Sequence, residues 1–367
     1  MNDIFEFADD LGPAKIVHIH DPKINLKAVV AIDNIACGPS IGGIRMAPDA
    51  STEEAFRLAR AMTLKNAAAG LPHGGGKSVI IGNPKIDARQ KERIIRAFAR
   101  AIRDLVEYIP GPDMGTDERC MAWIKDEIGR AVGLPPEIGG IPLDEIGATG
   151  WGLNASVQVA TKFCGLDLKG ARVVIQGFGS VGQHAARFLA ERGAIMIAAC
   201  DSRGTIHNTR GIDIARLMAL KTQGKSVIDY PDGRTDEPAA VIDIDCDIWV
   251  PAARPDVIHK NNVMRLKTKL VPQGANIPFT PEAERILHEN GVLVIPDFIA
   301  NAGGVICASV EYHDGTQSQA FQVIEEKIAM NTEQVLQQAK KSGSLPRQAA
   351  IELAERRVRK AMQYQRV

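Results

Sequence analysis

The chain has 367 residues, of which 45% are hydrophobic and 24% are charged, a composition ordinary for a globular enzyme of two domains. Lys and Arg number 44, as do Asp and Glu, so no net charge indicates nucleic acid or an anionic membrane surface as a partner. Apolar runs such as 194–200 are too short to predict a membrane span.

Targeting and metal-binding signals are missing from the sequence. Residues 1–11 contain four acidic residues and no basic one, which argues against a signal or transit peptide. The six cysteines include no pair at CxxC spacing, so we interpret them as small buried residues in a reducing cytoplasm. No compact set of ligands predicts a metal ion.

The first part of the chain is predicted to contain strands and a helix. Residues 14–20 and 26–33 run apolar or alternate with β-branched residues, which is typical of paired strands. The segment 37–45 is rich in glycine and predicts a close approach to the backbone. Ser51, followed by two glutamates, marks a helix start, and the apolar-rich residues 55–69 continue the helix.

A glycine-rich stretch follows this helix. It begins at Lys65, breaks at a glycine and a proline, and passes through three glycines to Lys77 at the start of the stretch 78–82. The glycines would let a small molecule lie against the backbone beside Lys77. Burial and a second cation would lower the pKa of such a lysine and suit it to base chemistry. The alternative is a tight turn with two solvated lysines. A P-loop is excluded because the glycine that it requires is Leu71.

The next segment predicts a short strand over 79–81 and two helices over 88–106 and 117–132. The residues 109–116 between the helices are too rich in proline and glycine to be regular. Asp113 lies in this loop. It is either the N-cap of the following helix or a catalytic group.

From residue 147 the pattern changes to alternating strands and helices, after a glycine-rich hinge at 147–152. The β-rich run 171–175 is followed by GFGSVG, a helix, and a second strand that ends at Asp201. In this order, glycines allow a pyrophosphate to approach a helix N-terminus, and an acid about 20 residues on binds the ribose 2′-hydroxyl. The predicted cofactor contacts here are Gly177, Phe178, Gly179, Ser180, Val181, Gly182, Asp201 and Ser202.

Three further short strands are predicted at 248–250, 269–271 and 292–295. Each is followed by a loop that contains proline or asparagine, and these loops carry Ala252, Asn276 and Asn301. Ligands of a parallel sheet gather beyond the carboxyl ends of its strands. We therefore expect the three loops to surround the cofactor.

Two polar amphipathic helices, 319–340 and 347–363, end the chain. The sequence as a whole predicts an α/β protein of two domains. The first domain covers 1–146, with residues 320–367 packing back on it. The second covers 147–319 and is a Rossmann-type dinucleotide-binding domain.

Seven motifs, in order, resemble the glutamate/leucine/phenylalanine/valine dehydrogenase family along nearly the whole chain. They are GPSIGGIR at 38–45, KN at 65–66 with LPHGGGK at 71–77, PDMGT at 112–116, ATGWG at 148–152, GFGSVG at 177–182, QGAN at 273–276 and ANAGG at 300–304. The resemblance implies reversible oxidative deamination of an L-amino acid to a 2-oxo acid and ammonia, with a nicotinamide cofactor. It also implies a first domain for substrate binding and oligomerisation, and an active-site cleft between the two domains.

The resemblance implies a role for each matching residue. Lys65 would hold the substrate α-carboxylate, Lys77 would activate the water that attacks the imine, and Asp113 would carry the proton of the amine nitrogen. Lys77 must lose its proton near neutral pH to act as a base, and burial and Lys65 would both lower its pKa. Contacts to the nicotinamide or its ribose are implied for Thr149, Asn276 and Asn301, although each could instead stabilise its own loop.

The side-chain pocket departs from the glutamate branch of the family. Glutamate enzymes carry a lysine where this chain has Ile41, and a serine at the position of Ala308. An unpartnered glutamate carboxylate there would cost several kcal/mol, so we predict a neutral apolar substrate of the leucine, valine or phenylalanine type. The substrate-binding residues are predicted as Lys65, Ile41, Gly42, Gly43, Gly111, Val305 and Ala308. Two alternatives stay open: a glutamate dehydrogenase with an atypical pocket, because the cofactor-domain motifs resemble that branch, and a non-catalytic nucleotide-binding regulator.

The predicted cofactor is NAD, because the Asp201 carboxylate would bind a free 2′-hydroxyl and repel a phosphate. Ser202 and Arg203 directly after it could instead receive a 2′-phosphate, so NADP is not excluded. The resemblance further implies a homo-oligomer.

Overall fold

The computed structural model of the protein describes residues 7–365. The chain forms two compact units. The first comprises the described residues of Met1–Pro142, Val305–Ala320 and Ile351–Val367, and the second comprises Leu143–Gly304 and Phe321–Ala350. The acidic segment 1–11, from which we argued against a targeting peptide, lies partly outside the described residues.

These units divide the C-terminal part differently from the predicted domains 1–146 and 147–319. Residues 321–350 belong to the second unit, whereas we had grouped 320–367 with the first domain. Phe321 packs edge-on against Trp151, with ring centroids 5.4 Å apart, and its carbonyl accepts a hydrogen bond from the Trp151 indole at 3.0 Å. An amphipathic pattern reveals that a helix has a partner but does not identify the partner.

The first unit contains a mixed sheet whose five described strands lie in the order β1-β2-β4-β3-β5. The strands are β1 (Lys15–Asp21), β2 (Leu26–Asn34), β3 (Ser40–Ala47), β4 (Gly74–Ile81) and β5 (Tyr108–Pro112). Strand β2 is antiparallel to β1 and to β4, which confirms the predicted strand pair, whereas β3 is parallel to β4 and to β5. The strand β3 therefore lies between the strand of Lys77 and the strand that precedes Asp113.

Helices α1 (Thr52–Ala68), α2 (Ala88–Ala101) and α3 (Glu118–Ile128) accompany this sheet. Ser51 caps α1 as predicted, because its hydroxyl accepts a hydrogen bond from the Glu54 amide at 3.1 Å. The core combines Phe98 of α2 and Ile124 of α3 with sheet residues such as Ile32, all of them fully buried. Apolar residues at helical spacing thus cover one face of a sheet whose strands are themselves apolar.

Two predictions of irregular structure in this unit were wrong. The three glycines at 74–76, predicted as a turn, begin strand β4. Residues 109–112 of the predicted irregular segment belong to strand β5 (Tyr108–Pro112), which tolerates prolines because it is at the edge of the sheet.

The side-chain positions of the three glycines are filled by the protein itself. A Cβ atom on Gly75 would lie 2.1 Å from the Thr63 amide nitrogen, and one on Gly76 would lie 2.9 Å from the Tyr108 ring. The glycines therefore allow β4 to pack closely against neighbouring elements, and the space that we expected for a small molecule is not at their side-chain positions.

The second unit contains a seven-stranded sheet, within the described residues, in the order β12-β11-β10-β6-β7-β8-β9. The strands are β6 (Arg172–Gln176), β7 (Ile195–Cys200), β8 (Thr205–His207), β9 (Arg234–Asp236), β10 (Ile248–Pro251), β11 (Leu270–Pro272) and β12 (Leu293–Ile295). The pairs that join β12, β11, β10, β6 and β7 are parallel. This arrangement confirms the predicted Rossmann-type order of strand, glycine turn, helix and strand.

The helices of this unit are α4 (Leu143–Ile146), α5 (Ala148–Cys164), α6 (Ser180–Glu191), α7 (Ile214–Thr222), α8 (Pro281–Glu289) and α9 (Asp297–Ala300). Short 3-10 helices cover Pro136–Ile138, Val227–Asp229, Pro238–Asp243 and Val263–Arg265. The predicted hinge at 147–152 is instead the start of α5. Its glycines are needed for packing, since a Cβ on Gly150 would lie 2.6 Å from the Cβ of His184.

The chain passes between the two units within three helices, α10 (Gly303–Tyr312), α11 (Gln317–Ser342) and α12 (Pro346–Met362). No helix in residues 7–365 combines the length and the hydropathy that a membrane span requires.

Candidate active site and cofactor cavity

Lys77 and Asp113 form an ion pair in the first unit. The Lys77 Nζ atom is 2.5 Å from Asp113 Oδ2, and the two side chains are 8% and 25% exposed. They meet across β3 at Gly43, where an added Cβ would lie 2.8 Å from the Asp113 Cβ and 3.3 Å from the Lys77 Nζ. Gly43 is therefore the residue whose missing side chain lets these two groups approach each other.

Asp113 is not the N-cap that we considered for the following helix. Asp117 has that position, because its carboxylate accepts a hydrogen bond from the Cys120 amide at 2.9 Å. The Asp113 amide instead donates to the Thr116 hydroxyl at 3.0 Å, and this hydroxyl lies 2.7 Å from the Ile44 carbonyl that it donates to. The turn after β5 is thus fixed to β3, and the Asp113 carboxylate is directed to Lys77.

The charges around this pair decide its protonation. Burial lowers the pKa of Lys77, Asp113 raises it and Arg45 lowers it again, with a net lowering. Burial raises the pKa of Asp113, but Lys77 and Arg45 together lower it by a larger amount, so the pKa is lowered overall. The pKa of Lys77 is lowered in the predicted direction, and Arg45, which we had not named, is a cation that contributes to the lowering. A carboxylate and an amine that readily gives up its proton can serve as proton carriers.

Lys65 lies in the last turn of α1 and is half-buried. The next residue, Asn66, donates a hydrogen bond from its side-chain amide to the Gly74 carbonyl at 2.7 Å. This contact attaches the end of α1 to the start of β4. Both lysines are therefore carried by elements that pack directly on each other.

Two of the residues predicted for the side-chain pocket, Ile41 and Ala308, belong to an apolar cluster in the first unit. Ile41, Ile109, Val132 and Ala308 are buried together, with Tyr312 packed against them. Val305 is half-buried, one turn before Ala308 on α10. A Cβ on Gly111 would lie 3.1 Å from the Val132 side chain, and one on Gly42 would lie 1.6 Å from the Gly76 carbonyl oxygen. Gly42 is thus required for the packing of two strands.

The second unit contains a cavity of about 850 Å³ beside the glycine fingerprint. Its lining includes Gly177, Phe178, Gly179, Asp201, Ser202, Lys221, Trp249, Ala252, Arg254 and Asn262. This volume and the mixture of apolar and polar groups are typical of a small-molecule site.

The fingerprint glycines fit a pyrophosphate. Gly177 has φ +98°, and a Cβ on Gly182 would lie 2.0 Å from the Gly177 carbonyl oxygen. Gly179 is the N-cap of α6 without a side-chain cap, and a Cβ there would meet no atom within 4 Å. The N–H groups of the first turn of α6 are thus accessible to an anion. Ser180 and Val181 lie in that turn.

Asp201 is bound on both oxygens by its own chain. Lys221 Nζ is 2.7 Å from Oδ2 and the Ser226 hydroxyl is 2.8 Å from Oδ1, while the Val227 and Arg203 amides add hydrogen bonds of 3.0 and 2.9 Å. Burial raises the pKa of Asp201, but the hydrogen bonds, led by that of Lys221, bring it to about 2. A carboxylate accepts about four hydrogen bonds, so a ribose hydroxyl would have to share or displace one of these donors.

The remaining predicted cofactor residues converge within the second unit. The Asn301 side-chain amide donates to Asn276 Oδ1 at 2.9 Å. A Cβ on Gly303 would lie 3.1 Å from the Thr149 Cα, so the start of α5 adjoins the segment that carries Asn301. The Ala252 amide donates to the Gln176 carbonyl at 2.7 Å, at the wall of the cavity.

A buried polar network behind the loop 273–277 was not predicted. Arg347 binds Glu284 with Nε at 2.7 Å and Nη2 at 2.8 Å, and Nη2 also binds Gln273 Oε1 at 2.8 Å. Asp297 Oδ1 is 2.9 Å from the same guanidinium, and Asp297 Oδ2 accepts the Ile277 amide at 2.8 Å. No local signal could have identified this network, because its members are far apart in sequence.

Within residues 7–365, no group of three or more His, Cys, Asp or Glu side chains is arranged to hold a metal ion. All six cysteines are free thiols.

Two family models match the chain. The model described as Glu/Leu/Phe/Val dehydrogenase, dimerisation domain, matches residues 13–130, and that of Glutamate/Leucine/Phenylalanine/Valine dehydrogenase matches residues 139–366. A glutamate dehydrogenase of Aeropyrum pernix is 39% identical over 90% of this chain and 84% of its own length. An NADP-specific glutamate dehydrogenase of Saccharolobus shibatae is 38% identical over 76% of this chain and 69% of its own.

Solved structures give the same result. The hetero-hexameric glutamate dehydrogenase of Thermus thermophilus in its Leu-bound form matches with a TM-score of 0.86 at 28% identity, over 97% of this chain and 90% of that chain. The L-tryptophan dehydrogenase of Nostoc punctiforme matches with a TM-score of 0.76 at 26% identity, over 96% and 98%. The chain therefore belongs to the glutamate/leucine/phenylalanine/valine dehydrogenase family and is an NAD(P)-dependent amino acid dehydrogenase.

Proposed function

We propose that the enzyme catalyses the reversible oxidative deamination of L-glutamate to the 2-oxo acid and ammonia. The choice of glutamate as the substrate is based on relatives of 38 and 39% identity, which are named glutamate dehydrogenases. These relatives support the alternative that we had left open over our first prediction of a neutral apolar substrate. The ion pair of Lys77 and Asp113 supports the reaction itself.

In this proposal a bound nicotinamide would supply the acceptor for the hydride of the substrate Cα. Lys65 holds the α-carboxylate, and Asp113 accepts the proton that the amine nitrogen releases as the imine forms. Lys77, as a neutral amine, takes a proton from water while the water oxygen bonds to the imine carbon. Lys77 passes this proton to solvent and then takes the proton of the carbinolamine hydroxyl as the carbonyl forms, while Asp113 returns its own proton to the nitrogen and the C–N bond breaks. Ammonia and the 2-oxo acid leave, and the hydroxyl proton remains on Lys77 until solvent removes it.

A second candidate function is deamination of a neutral apolar amino acid. Ile41 and Ala308 belong to a buried cluster of apolar side chains. A carboxylate in such surroundings loses its hydration without gaining a partner, at a cost of several kcal/mol. A relative of similar fold, the Nostoc punctiforme enzyme, is named for tryptophan.

The test is a panel of amino acids with NAD and with NADP, read as absorbance of the reduced nicotinamide at about 340 nm. The highest kcat/KM on glutamate would support the proposed function. The highest value on leucine, valine, phenylalanine or tryptophan would overturn it in favour of the second candidate. Cofactor binding without turnover of any amino or oxo acid would favour the non-catalytic regulator.

Replacement of Ile41 by lysine tests the side-chain pocket. We expect kcat/KM for glutamate to rise about ten- to hundredfold and that for leucine to fall, because a hydrogen bond to a charged group contributes about 1.5–3 kcal/mol. The measurement is the ratio of the two values, with Ile41→Leu as the size-matched control. An unchanged value for glutamate in Ile41→Lys would show that Ile41 does not line the pocket.

We propose NAD as the preferred cofactor, because the low pKa of Asp201 keeps an anion beside the cavity at physiological pH. Lys221 neutralises part of that charge from 2.7 Å. Lys221→Met should therefore increase the preference for NAD over NADP, by about tenfold in kcat/KM, since an unneutralised carboxylate repels a 2′-phosphate. Lys225→Met, at an exposed lysine nearby, is the control. A shift towards NADP, or a parent that prefers NADP, would contradict the assignment.

The proposal includes a homo-oligomer assembled through the first unit, which the dimerisation-domain match over residues 13–130 supports. It also places the enzyme in the cytoplasm, on the sequence argument alone.

A further inference from the structure

Four charged side chains form a continuous chain at the candidate active site. Asp113 Oδ2 is bound by two cations, Lys77 Nζ at 2.5 Å and Arg45 Nε at 3.1 Å. Arg45 Nη1 is bound in turn by Glu54 Oε1 at 2.5 Å. The sequence motifs singled out Arg45 only as the end of GPSIGGIR, and Glu54 only as an acid in the first turn of α1.

We infer that Arg45 is a positioning residue of the reaction, which holds the Asp113 carboxylate against Lys77, and that Glu54 controls it by binding its other end. This inference rests on the proposed function of Lys77 and Asp113. Arg45 can do both because the guanidinium is a planar fork with several donors, so one nitrogen can bind Asp113 while another binds Glu54. The carboxylate is thereby fixed in rotation, with one oxygen shared by both cations.

The opposite charges of Arg45 and Glu54 predict opposite effects on Lys77. Arg45 lowers the pKa of Lys77 and Glu54 raises it. Arg45 also lowers the pKa of Asp113. Loss of Arg45 should therefore raise the pKa of Lys77, and loss of Glu54 should lower it.

Other charged or titratable groups on the elements packed around Lys77 do not replace these partners. Asp33 of β2 pairs with Arg60 of α1 at 2.7 Å. The Tyr108 hydroxyl of β5 donates to the Gly42 carbonyl at 2.8 Å. Lys65, also on α1, is a further cation, and it stays constant in all the variants below.

A purely structural role of the Arg45–Glu54 pair is the competing explanation. The pair joins β3 to α1, so its loss could simply destabilise the unit. A structural role would lower the melting temperature of both variants, but it would not move the titration of Lys77 in opposite directions. The sign of the two shifts therefore separates the explanations.

The experiment is competitive acetylation of the protein with acetic anhydride over a range of pH, with the label on Lys77 measured by peptide mass spectrometry. This measurement gives the pKa of one amine and does not depend on turnover. We expect Arg45→Gln to raise the pKa of Lys77 by about one unit, as for a charge a few ångströms away. Glu54→Gln should lower it by a smaller amount, because Glu54 acts from further away.

Two further variants complete the design. Glu53→Gln is the matched control, since Glu53 precedes Glu54 on α1 but pairs with Arg57 at 3.8 Å, with both side chains mostly exposed. It should leave the titration of Lys77 unchanged. Arg45→Lys keeps the charge but cannot bind Asp113 and Glu54 at once, so the pKa should stay near that of the parent while kcat falls and KM changes little.

In the active enzyme, the acid limb of the pH profile of kcat should move in the same directions as the labelled pKa. Shifts of the same sign in Arg45→Gln and Glu54→Gln, or no shift in either, would overturn the inference. A parent without turnover on any amino acid would instead refute the proposed function, and the labelling result would still decide the role of Arg45. If Arg45→Gln fails to fold, Glu54→Gln alone still gives a signed result.

Discussion

Replacement of Lys77 by alanine is expected to lower kcat by about 10²- to 10⁴-fold, the usual contribution of a positioned general base. The amine is 8% exposed and 2.5 Å from Asp113 Oδ2. The affinity for the cofactor should change less than about twofold, within the error of a titration, because the glycine fingerprint lies in the other unit. Single-turnover rates and fluorescence titration of the reduced nicotinamide measure the two quantities separately.

The control for this variant is Lys125→Ala, at an exposed lysine of α3, which should retain the parent kcat. Asp113→Asn should reduce kcat in the same manner as Lys77→Ala, because either change removes one of the two proton carriers. An equal loss of cofactor affinity and turnover in Lys77→Ala, together with a large fall in melting temperature, would show that the lysine is structural.

The fold was largely predictable because its signals are local. Strand and helix periods are decided by residues a few positions apart, and the strand pair 14–20 and 26–33, the cap at Ser51 and the fingerprint at 177–182 are all signals of this kind. The predicted helices and strands accordingly match the observed ones within a few residues, apart from shorter ends at α2 and α3.

The glycine-rich segments were harder to predict, because the reason for each glycine lies elsewhere in the chain. Gly75 must accommodate Thr63 of α1, and Gly43 must accommodate Asp113. A run of glycines and prolines therefore indicated a turn at 74–76 and an irregular loop at 109–116, where the structure has strands. The glycines permit close packing as well as turns, and the sequence does not distinguish the two uses.

The hydrogen-bond and ion-pair partners of the site residues could not be predicted from the sequence either. Asp201 could be recognised by its separation from Gly177 along the sequence. No sequence pattern indicated that Lys221 and Ser226 bind its carboxylate oxygens. The same holds for Arg45, whose effect on the pKa of Lys77 we had not predicted. Such pairs depend on the sheet order, which brings β3 between β4 and β5.

The substrate poses a different problem, because two arguments disagree. The argument from Ile41 concerns one contact in the side-chain pocket and favours an apolar substrate. The argument from the relatives concerns the activity of whole proteins and favours glutamate. Overall similarity does not fix a side-chain pocket, and one missing partner does not exclude a substrate whose carboxylate finds another. The amino acid panel and Ile41→Lys decide between them.

Replacement of Arg347 by methionine is expected to destabilise the second unit by about 3–5 kcal/mol, the cost of removing one partner from a buried ion pair. Glu284 and Asp297 are 4% and 6% exposed, and Gln273 is fully buried. Without the Arg347 guanidinium, the buried carboxylates of Glu284 and Asp297 would both lose the cation that they are paired with. Burial lowers the pKa of Arg347, but Glu284 and Asp297 together raise it by a larger amount. The guanidinium therefore stays protonated over the whole pH range in which the protein can be studied. Urea unfolding monitored through the tryptophans, two of which are in the second unit, measures the change.

The matched control for Arg347→Met is Arg285→Met, on the same helix as Glu284. Arg285 pairs with Glu289 at 2.7 Å, but both side chains are more than half exposed, so its loss should cost no more than about 0.5 kcal/mol. The double variant Arg347→Met with Glu284→Gln should recover part of the lost stability, since it removes a carboxylate that has no partner. If Arg347→Met costs no more than Arg285→Met, the network does not stabilise the loop 273–277. A large cost would instead show that Arg347, more than 70 residues from Asn276 in sequence, stabilises the unit that carries this loop, and such a distant partner gives no signal within the sequence motif itself.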